Sequence, residues 1–196
     1  MKKRVCVYCS SSDYIDEVYY NDASEMGTLI AKSGFDFVYG GGNIGTMYAA
    51  AHCAKENGAK IYGVIPEKLH NFGILSDNCD ELFLTKTIRE RKDKMDKLSN
   101  YVIALAGGYG TLEELSEMIV QKQLGYNNKA IVILNTNGFY DELIKFFKKM
   151  ESEHFAKNVK RELYYIARTP KDAIDYIANY KDEDKDVSKE ELFKIQ

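Results

Sequence analysis

The sequence predicts an α/β fold, a doubly wound parallel sheet of about seven strands with helices on both faces. Two observations carry this expectation. Apolar runs of strand length alternate with stretches of helical periodicity from end to end, and that alternation implies right-handed βαβ units with both sheet faces covered. Two of the strand-like runs end in glycine turns that open helices, at Gly40–Gly45 and Gly107–Gly110, which is where open parallel sheets hold ligands. A single Rossmann-like domain is expected at residues 1–180, its glycine turns placed to serve as a nucleotide-binding domain's ligand edge, with a charged C-terminal tail at residues 181–196.

The first strand is Arg4–Cys9; the basic start Met1-Lys2-Lys3-Arg4 leads into too few apolar residues for a signal peptide. A helix at Glu17–Ser33 ends before Gly34, and a strand follows at Phe35–Tyr39. The helix Ile44–Asn57 ends before Gly58, so both glycines stand where C-terminal caps belong. A strand at Lys60–Ile65 gives way to Pro66–Asp80, an irregular connection of the length that lids and binding loops have. Its Glu67, Lys68, His70 and Asn71 either contact a ligand or form a solvated surface loop. Beyond it come a strand at Glu81–Thr85, a helix at Ile88–Leu98, a strand at Tyr101–Leu105 and a helix at Thr111–Gln123. The series closes with a strand at Ala130–Leu134, a helix at Gly138–Met150, a strand at Leu163–Ile166 and a helix at Pro170–Asn179, the last opened by the cap pair Thr169-Pro170. A short terminal helix is expected at Lys189–Ile195 within the tail.

The 196 residues are 45% hydrophobic and 29% charged, enough for one domain that buries most of its apolar surface. A net charge of −3 argues against a protein built to hold a nucleic acid backbone. No apolar stretch approaches the ~20 residues of a membrane span, so a cytoplasmic protein without a membrane partner is expected. Cys6 and Cys9 form a C-x-x-C, a spacing shared by redox pairs and half metal sites. It spans a strand rather than opening a helix, no second pair exists, and His52, His70 and His154 show no ligand spacing to it. With Cys53 and Cys79, these read as small, partly buried residues in a reducing compartment.

The chemistry concentrates at Ala106-Gly107-Gly108-Tyr109-Gly110-Thr111-Leu112-Glu113-Glu114. A glycine turn at a helix start leaves backbone N–H groups free and suits a phosphate. Two carboxylates follow at once. Either they stabilise the helix dipole, worth ~0.3–1 kcal/mol, or they do chemistry beside a bound phosphate. Gly40-Gly41-Gly42-Asn43-Ile44-Gly45-Thr46 is a second such turn. It also satisfies G-x-G-x-x-G, but after the second strand and with Glu67 only a loose match for a ribose-binding acid, so a dinucleotide fold fits poorly. Cys9-Ser10-Ser11-Ser12-Asp13 is a third polar strand exit, whose hydroxyls either touch phosphate and ribose or form a turn. Arg91 and Lys92 lie early in their helix, where cations oppose the macrodipole, and this placement points to an anionic partner. On the same helix Glu90 and Lys94 are spaced for an i,i+4 pair, and Ile88, Met95 and Leu98 for core contacts.

These segments together resemble the Lonely Guy family, the cytokinin riboside 5′-monophosphate phosphoribohydrolases often labelled lysine decarboxylases. The family's Pro-Gly-Gly-x-Gly-Thr-x-x-Glu is matched by Ala106–Glu114, with alanine in place of the leading proline. Val5–Ser12, Val38–Gly42, Arg91-Lys92 with Met95, Leu124-Gly125 and Leu134-Asn135…Gly138-Phe139-Tyr140 follow in the family's order, over roughly residues 4–150. The resemblance implies hydrolysis of the N-glycosidic bond of a purine nucleoside 5′-monophosphate, AMP or N6-modified AMP, with no cofactor and no metal. It implies Arg91 and Glu114 as the catalytic pair and Gly107, Gly108, Tyr109, Gly110 and Thr111 as the cradle of the 5′-phosphate. Ser10, Ser11, Gly40, Gly41 and Gly42 would complete the ribose-phosphate site, with Lys92 and Glu113 as further substrate contacts, Glu113 at the ribose hydroxyls. It also implies a homodimer, with Tyr126 near the interface. The departures are Ala106, Gly73 where plant members carry a glutamate near the base, and Arg89 in place of a histidine; the last two bear on base selectivity more than on the reaction. Two other readings stand beside this one. A non-catalytic nucleotide or phosphate-ligand carrier would use the same scaffold but has no need of Glu114. A pyridoxal-phosphate lysine decarboxylase would need a Schiff-base lysine, and no lysine has that setting.

Overall fold

The computed structural model describes residues 2–74, 77–156 and 162–181, so the expected helix at 189–195 and the tail beyond residue 181 lie outside the described residues. Strands β1 (Arg4–Tyr8), β2 (Asp36–Tyr39), β3 (Ile61–Pro66), β4 (Glu81–Thr85), β5 (Tyr101–Ala104), β6 (Ala130–Leu134) and β7 (Tyr165–Ala167) form one sheet. Its order is β4-β3-β2-β1-β5-β6-β7, and each neighbouring pair is parallel. The chain winds outward from β1 through β4, then returns to β5 on the other side of β1. The C-terminal ends of β1 and β5 therefore flank the point where strand order reverses, the crevice in which such sheets bind ligands.

The helices are α1 (Glu17–Lys32), α2 (Gly45–Glu56), α3 (Glu67–His70), α4 (Ile88–Leu98), α5 (Tyr109–Gln123), α6 (Asp141–Ser152) and α7 (Pro170–Asn179). Alternate strand residues serve opposite faces of the sheet. Val5, Val7, Phe37, Tyr39, Ile61 and Ile103 pack with residues of α1, α2 and α7, while Cys6, Tyr8, Val38, Val64, Val102 and Ile131 pack with residues of α4, α5 and α6. The same alternation puts Cys6 and Cys9 in different layers, Cys9 against the first cluster and Cys6 inside the second. Both are free thiols, so the C-x-x-C is a packing feature.

Three elements depart from expectation. The connection after β3 is not wholly irregular, because Glu67–His70 forms the single turn α3. Helix α5 opens at Tyr109 rather than Thr111, which brings Tyr109 and Gly110 into its first turn. Helix α6 begins at Asp141, after a 3-10 turn at Thr136–Gly138 in which Asn137 (φ 52°) and Gly138 (φ 71°) are left-handed and block a continuous helix. Asn135 holds that turn: its Nδ2 donates to Asp141 Oδ1 at 2.7 Å and its Oδ1 accepts the Tyr140 N–H at 2.8 Å.

Candidate active site

Helix α4 opens on Thr87, whose Oγ1 accepts the Glu90 N–H at 3.1 Å, and Glu90 Oε2 accepts the Lys86 N–H at 2.8 Å. This Thr-x-x-Glu arrangement is a close variant of a capping box. It draws Glu90 away from Lys94, whose ammonium instead lies 4.0 Å from the centroid of the Phe83 ring, so the expected Glu90–Lys94 pair gives way. Ile88, expected in the core, is 61% exposed, whereas Met95 and Leu98 do turn inward.

One turn further along, Arg91 meets α5. Its Nε donates to the Val64 carbonyl at 3.1 Å and its Nη1 to Glu114 Oε1 at 2.6 Å. Both side chains are largely buried. The cation whose position opposed the macrodipole of α4 thus finds its anionic partner on α5. Burial pushes the Glu114 carboxyl above the usual carboxylate range; the charge and hydrogen bond of Arg91 pull it down, and Glu113 adds to the rise. A buried carboxylate of this kind is a better proton acceptor than an exposed one.

The turn Gly40–Gly42, expected to line the ribose-phosphate site, is buried. Gly40 instead makes room for a side chain, because a Cβ built there would lie 2.2 Å from Arg91 Nη2. The space its missing side chain leaves is the space the guanidinium occupies. Gly45, which opens α2, has φ 66°, and a Cβ there would meet the Ser10 carbonyl at 2.5 Å. That intimacy closes the N-terminus of α2 with protein groups. Asp13 Oδ1 accepts the Gly45 N–H at 2.8 Å, the Ser10 carbonyl accepts the Met47 N–H at 3.1 Å, and Thr46 Oγ1 accepts the Ser10 N–H at 3.1 Å. Ser10 Oγ accepts the Ser12 N–H at 3.1 Å, and Ser11 is exposed. Asp13, in the sequence only one member of a polar turn, is the residue that takes this helix start.

The start of α5 is left open. Ala106 is buried, Gly107 half-buried, and Gly108, Tyr109 and Gly110 exposed, Tyr109 at 92%. Gly108 is the N-cap and has no side chain to offer. No backbone hydrogen bond among the described residues uses the amides of Tyr109, Gly110 or Thr111, so the first turn retains donors and a positive dipole end for an anion. The Thr111 hydroxyl does not join them; it is buried and donates to the Cys9 carbonyl at 3.0 Å, tying α5 to the end of β1. Below the turn, the buried Tyr140 hydroxyl donates to the Leu105 carbonyl at 2.7 Å; burial pushes the phenol's pKa up, and the nearby Gly107 amide draws it partly back.

Lys92 and Glu113, both expected at the substrate, are paired with each other, and the Lys92 ammonium also reaches Glu117 Oε2 at 2.6 Å. Burial pulls the ammonium pKa down, but the hydrogen bonds to Glu113 and Glu117 more than offset this and leave it raised. Glu117, which the sequence did not single out, joins this cluster through Lys92, and its i,i+4 spacing from Glu113 puts both acids on one face of α5. Gly73 caps α3, its N–H donating to the His70 carbonyl at 3.0 Å with φ 76°. A glutamate would be strained in that conformation, so the departure at residue 73 belongs to the shape of this loop. Arg89 is exposed.

A family model described as possible lysine decarboxylase matches residues 47–177, a span that contains Arg91 and the whole Ala106–Glu114 turn. A probable cytokinin riboside 5′-monophosphate phosphoribohydrolase of Oryza sativa subsp. japonica is 37% identical over 178 residues, covering 91% of this chain and 73% of the relative. A cytokinin riboside 5′-monophosphate phosphoribohydrolase of Arabidopsis thaliana is also 37% identical, over 179 residues, covering 91% of this chain and 84% of the relative. Among solved structures, the molybdenum cofactor carrier protein of Chlamydomonas reinhardtii superposes with a TM-score of 0.71 at 26% identity, covering 90% of this chain and 96% of the carrier.

Proposed function

The chain belongs to this family, which includes the cytokinin riboside 5′-monophosphate phosphoribohydrolases, and we propose that it hydrolyses the N-glycosidic bond of a purine nucleoside 5′-monophosphate, AMP or an N6-modified AMP. The products are the free base and ribose 5-phosphate. The observation that carries this reading is the buried pair of Arg91 and Glu114, 2.6 Å apart, beside the open N-terminus of α5.

The phosphate binds the amides of Tyr109, Gly110 and Thr111, and that remote grip positions the ribose over the pair. As the C1′–N bond to the base lengthens, positive charge develops on the ribose, as in glycoside hydrolysis. The ionised Glu114 stabilises that charge, which is present in the transition state and absent from the ground state. It then takes a proton from the water whose oxygen bonds to C1′, while the base leaves with the bonding electron pair and is protonated from solvent. Arg91, fixed by the Val64 carbonyl, sets the orientation of Glu114. Glu113 exchanges its Lys92 partner for the ribose hydroxyls, and Ser10 and Ser11 stand at the neighbouring strand exit.

The exposed apolar side chains Ile88, Val120, Leu124 and Tyr126 on α4, α5 and the end of α5 support a homodimer through this side of the molecule. No helix among the described residues is long and apolar enough to cross a membrane, and the four free cysteines support a cytoplasmic setting. A carrier role is favoured by one observation, the likeness to the Chlamydomonas protein; the pair of Arg91 and Glu114 weighs against it, since a carrier gains nothing from a buried acid beside a phosphate cradle. Lysine decarboxylation does not fit these residues. A Schiff-base lysine must reach its neutral form, and Lys92, which adjoins Arg91 in the chain, is held charged by two carboxylates.

Incubation with AMP and with N6-isopentenyl-AMP, followed by chromatography, tests the proposal. Release of free base is expected, and Glu114→Gln is expected to reduce turnover at least ~10²-fold while retaining nucleotide binding. Nucleotide that binds and stays intact would overturn the hydrolase reading in favour of the carrier.

A further inference from the structure

An alanine at the head of a phosphate-binding turn is a liability. Proline has one fixed φ, whereas alanine samples the broad α and β regions, so the turn that follows it is less constrained. No backbone hydrogen bond among the described residues uses the Ala106 amide, and nothing local takes the place of a ring. Yet Leu105, which precedes Ala106, is held through both of its backbone groups. The Leu105 N–H donates to the Tyr8 carbonyl at 2.8 Å. The Leu105 carbonyl accepts the Tyr140 hydroxyl at 2.7 Å, and the Gly107 amide lies near enough to the same phenol to favour its ionised form.

Tyr140 is well placed to hold that carbonyl. It is 4% exposed and lies in the core layer beneath α5 and α6. Its backbone is anchored by Asn135, and its ring packs edge-on against Phe139 at 4.9 Å between centroids. Phe139 in turn meets Tyr19 of α1 edge-on at 5.8 Å. The phenol is therefore fixed at its base and presents its hydroxyl to the turn from a rigid support. A buried Tyr hydroxyl normally finds a partner; here the partner is the carbonyl that leads into residue 106.

We propose that Tyr140 is a positioning residue for the phosphate-binding turn, its hydroxyl pinning the Leu105 carbonyl at the head of the turn from outside as a proline ring at residue 106 would constrain the turn from within. The inference rests on the phosphoribohydrolase reading for its kinetic consequence, but not for its structural one. It makes Tyr140 and residue 106 two means to one end, so their substitutions must be non-additive.

The test is a cycle of four proteins: the parent, Tyr140→Phe, Ala106→Pro and the double variant. Tyr140→Phe keeps the ring and removes only the hydroxyl. With AMP as substrate, it is expected to raise KM roughly tenfold and to change kcat less than about threefold, the pattern of lost uniform binding. In the Ala106→Pro background the same substitution is expected to raise KM less than about threefold. Amide hydrogen exchange without ligand provides the second readout: faster exchange at residues 107–111 in Tyr140→Phe, restored by Ala106→Pro. A merely structural tyrosine would lower the melting temperature equally in both backgrounds and leave KM and the local exchange pattern unmoved. Equal KM penalties with and without proline would overturn the proposal, as would unchanged exchange in the turn. If the parent protein releases no base, the phosphoribohydrolase reading falls, and the exchange cycle alone still decides the role of Tyr140.

Discussion

Gly40→Ala adds one methyl group to the chain and places it 2.2 Å from Arg91 Nη2 and 3.0 Å from Met47 Sδ. The backbone at Gly40 is not left-handed, so alanine meets no conformational strain of its own and narrows the unfolded ensemble, a gain of ~0.4–1 kcal/mol. The cost lies in the guanidinium. To regain ordinary contact at 3.4 Å, Nη2 must retreat by about 1.2 Å. Arg91 is tethered through Nε to the Val64 carbonyl and through Nη1 to Glu114, and a shift of that size breaks at least one of these bonds. Loss of one charge-assisted hydrogen bond costs ~1.5–3 kcal/mol, so the variant should fold, with a net loss of about 1–2 kcal/mol measured by urea denaturation.

Catalysis is affected far more. A misplacement near 1 Å in a catalytic group costs about 10²-fold in rate, whereas the amides at the start of α5 are untouched. With AMP as substrate, kcat should fall about 10²-fold and KM should change less than about threefold. Because the damage passes through Arg91, Gly40→Ala should add little to Arg91→Gln in the double variant. A raised KM with unchanged kcat would refute the reasoning, since it would mean that Gly40 touches the substrate phosphate and not the arginine. Full additivity with Arg91→Gln would refute it as well.

Two further predictions concern the same cleft. A Cβ on Gly110 meets nothing within 4 Å, so Gly110→Ala should raise stability by ~0.5–1 kcal/mol through helix propensity; calorimetry with ribose 5-phosphate should nonetheless show weakened binding, and unchanged binding would remove the phosphate from this turn. In Arg91→Gln the charge and hydrogen bond of Arg91 that oppose burial disappear while burial remains, so the Glu114 carboxyl should titrate at still higher pH by carbon-13 NMR. The sign for stability follows: the folded state then holds the Glu114 proton over a wider range than the unfolded state does, so stability declines as pH rises from the unfolded carboxyl value through the raised folded one. The deficit of Arg91→Gln relative to the parent should be small in acid and grow toward neutrality, reaching up to ~3–5 kcal/mol for an unpaired buried charge; a deficit independent of pH would refute it.

The strands were legible because each is a continuous apolar run between polar punctuation, as both-sided burial in a parallel sheet demands. Helix α3 was not, since four residues are too few to show a period. Arg91 was partly legible: a cation in the first turn of a helix is electrostatically awkward, and that awkwardness announced an anion without saying which. Gly40 misleads for the opposite reason. A glycine in a loop advertises backbone freedom or space, and the sequence does not say what fills the space; here it is a side chain from α4, brought in only by the order of β3, β2 and β1. Glu90 shows a local signal outweighing another, as capping of α4 by Thr87 and Glu90 displaced the i,i+4 pair with Lys94.

The division of labour between the two glycine turns bears on the choice between enzyme and carrier. At α2 the Gly45 and Met47 amides are taken by the Asp13 carboxylate and the Ser10 carbonyl, so that turn spends amides on the protein. At α5 the start is open, and the acid that follows is sunk into the protein with its pKa raised by burial. For a bound phosphate alone, this is a poor arrangement, because a second negative charge nearby weakens the grip. For a ribosyl cation it is favourable. Electrostatic interactions strengthen as the surroundings become less polar, so a carboxylate that water no longer screens responds most strongly to positive charge forming beside it. Burial therefore costs the free protein part of the ionisation energy of Glu114, and the same burial enlarges the stabilisation that appears only as the glycosidic bond breaks.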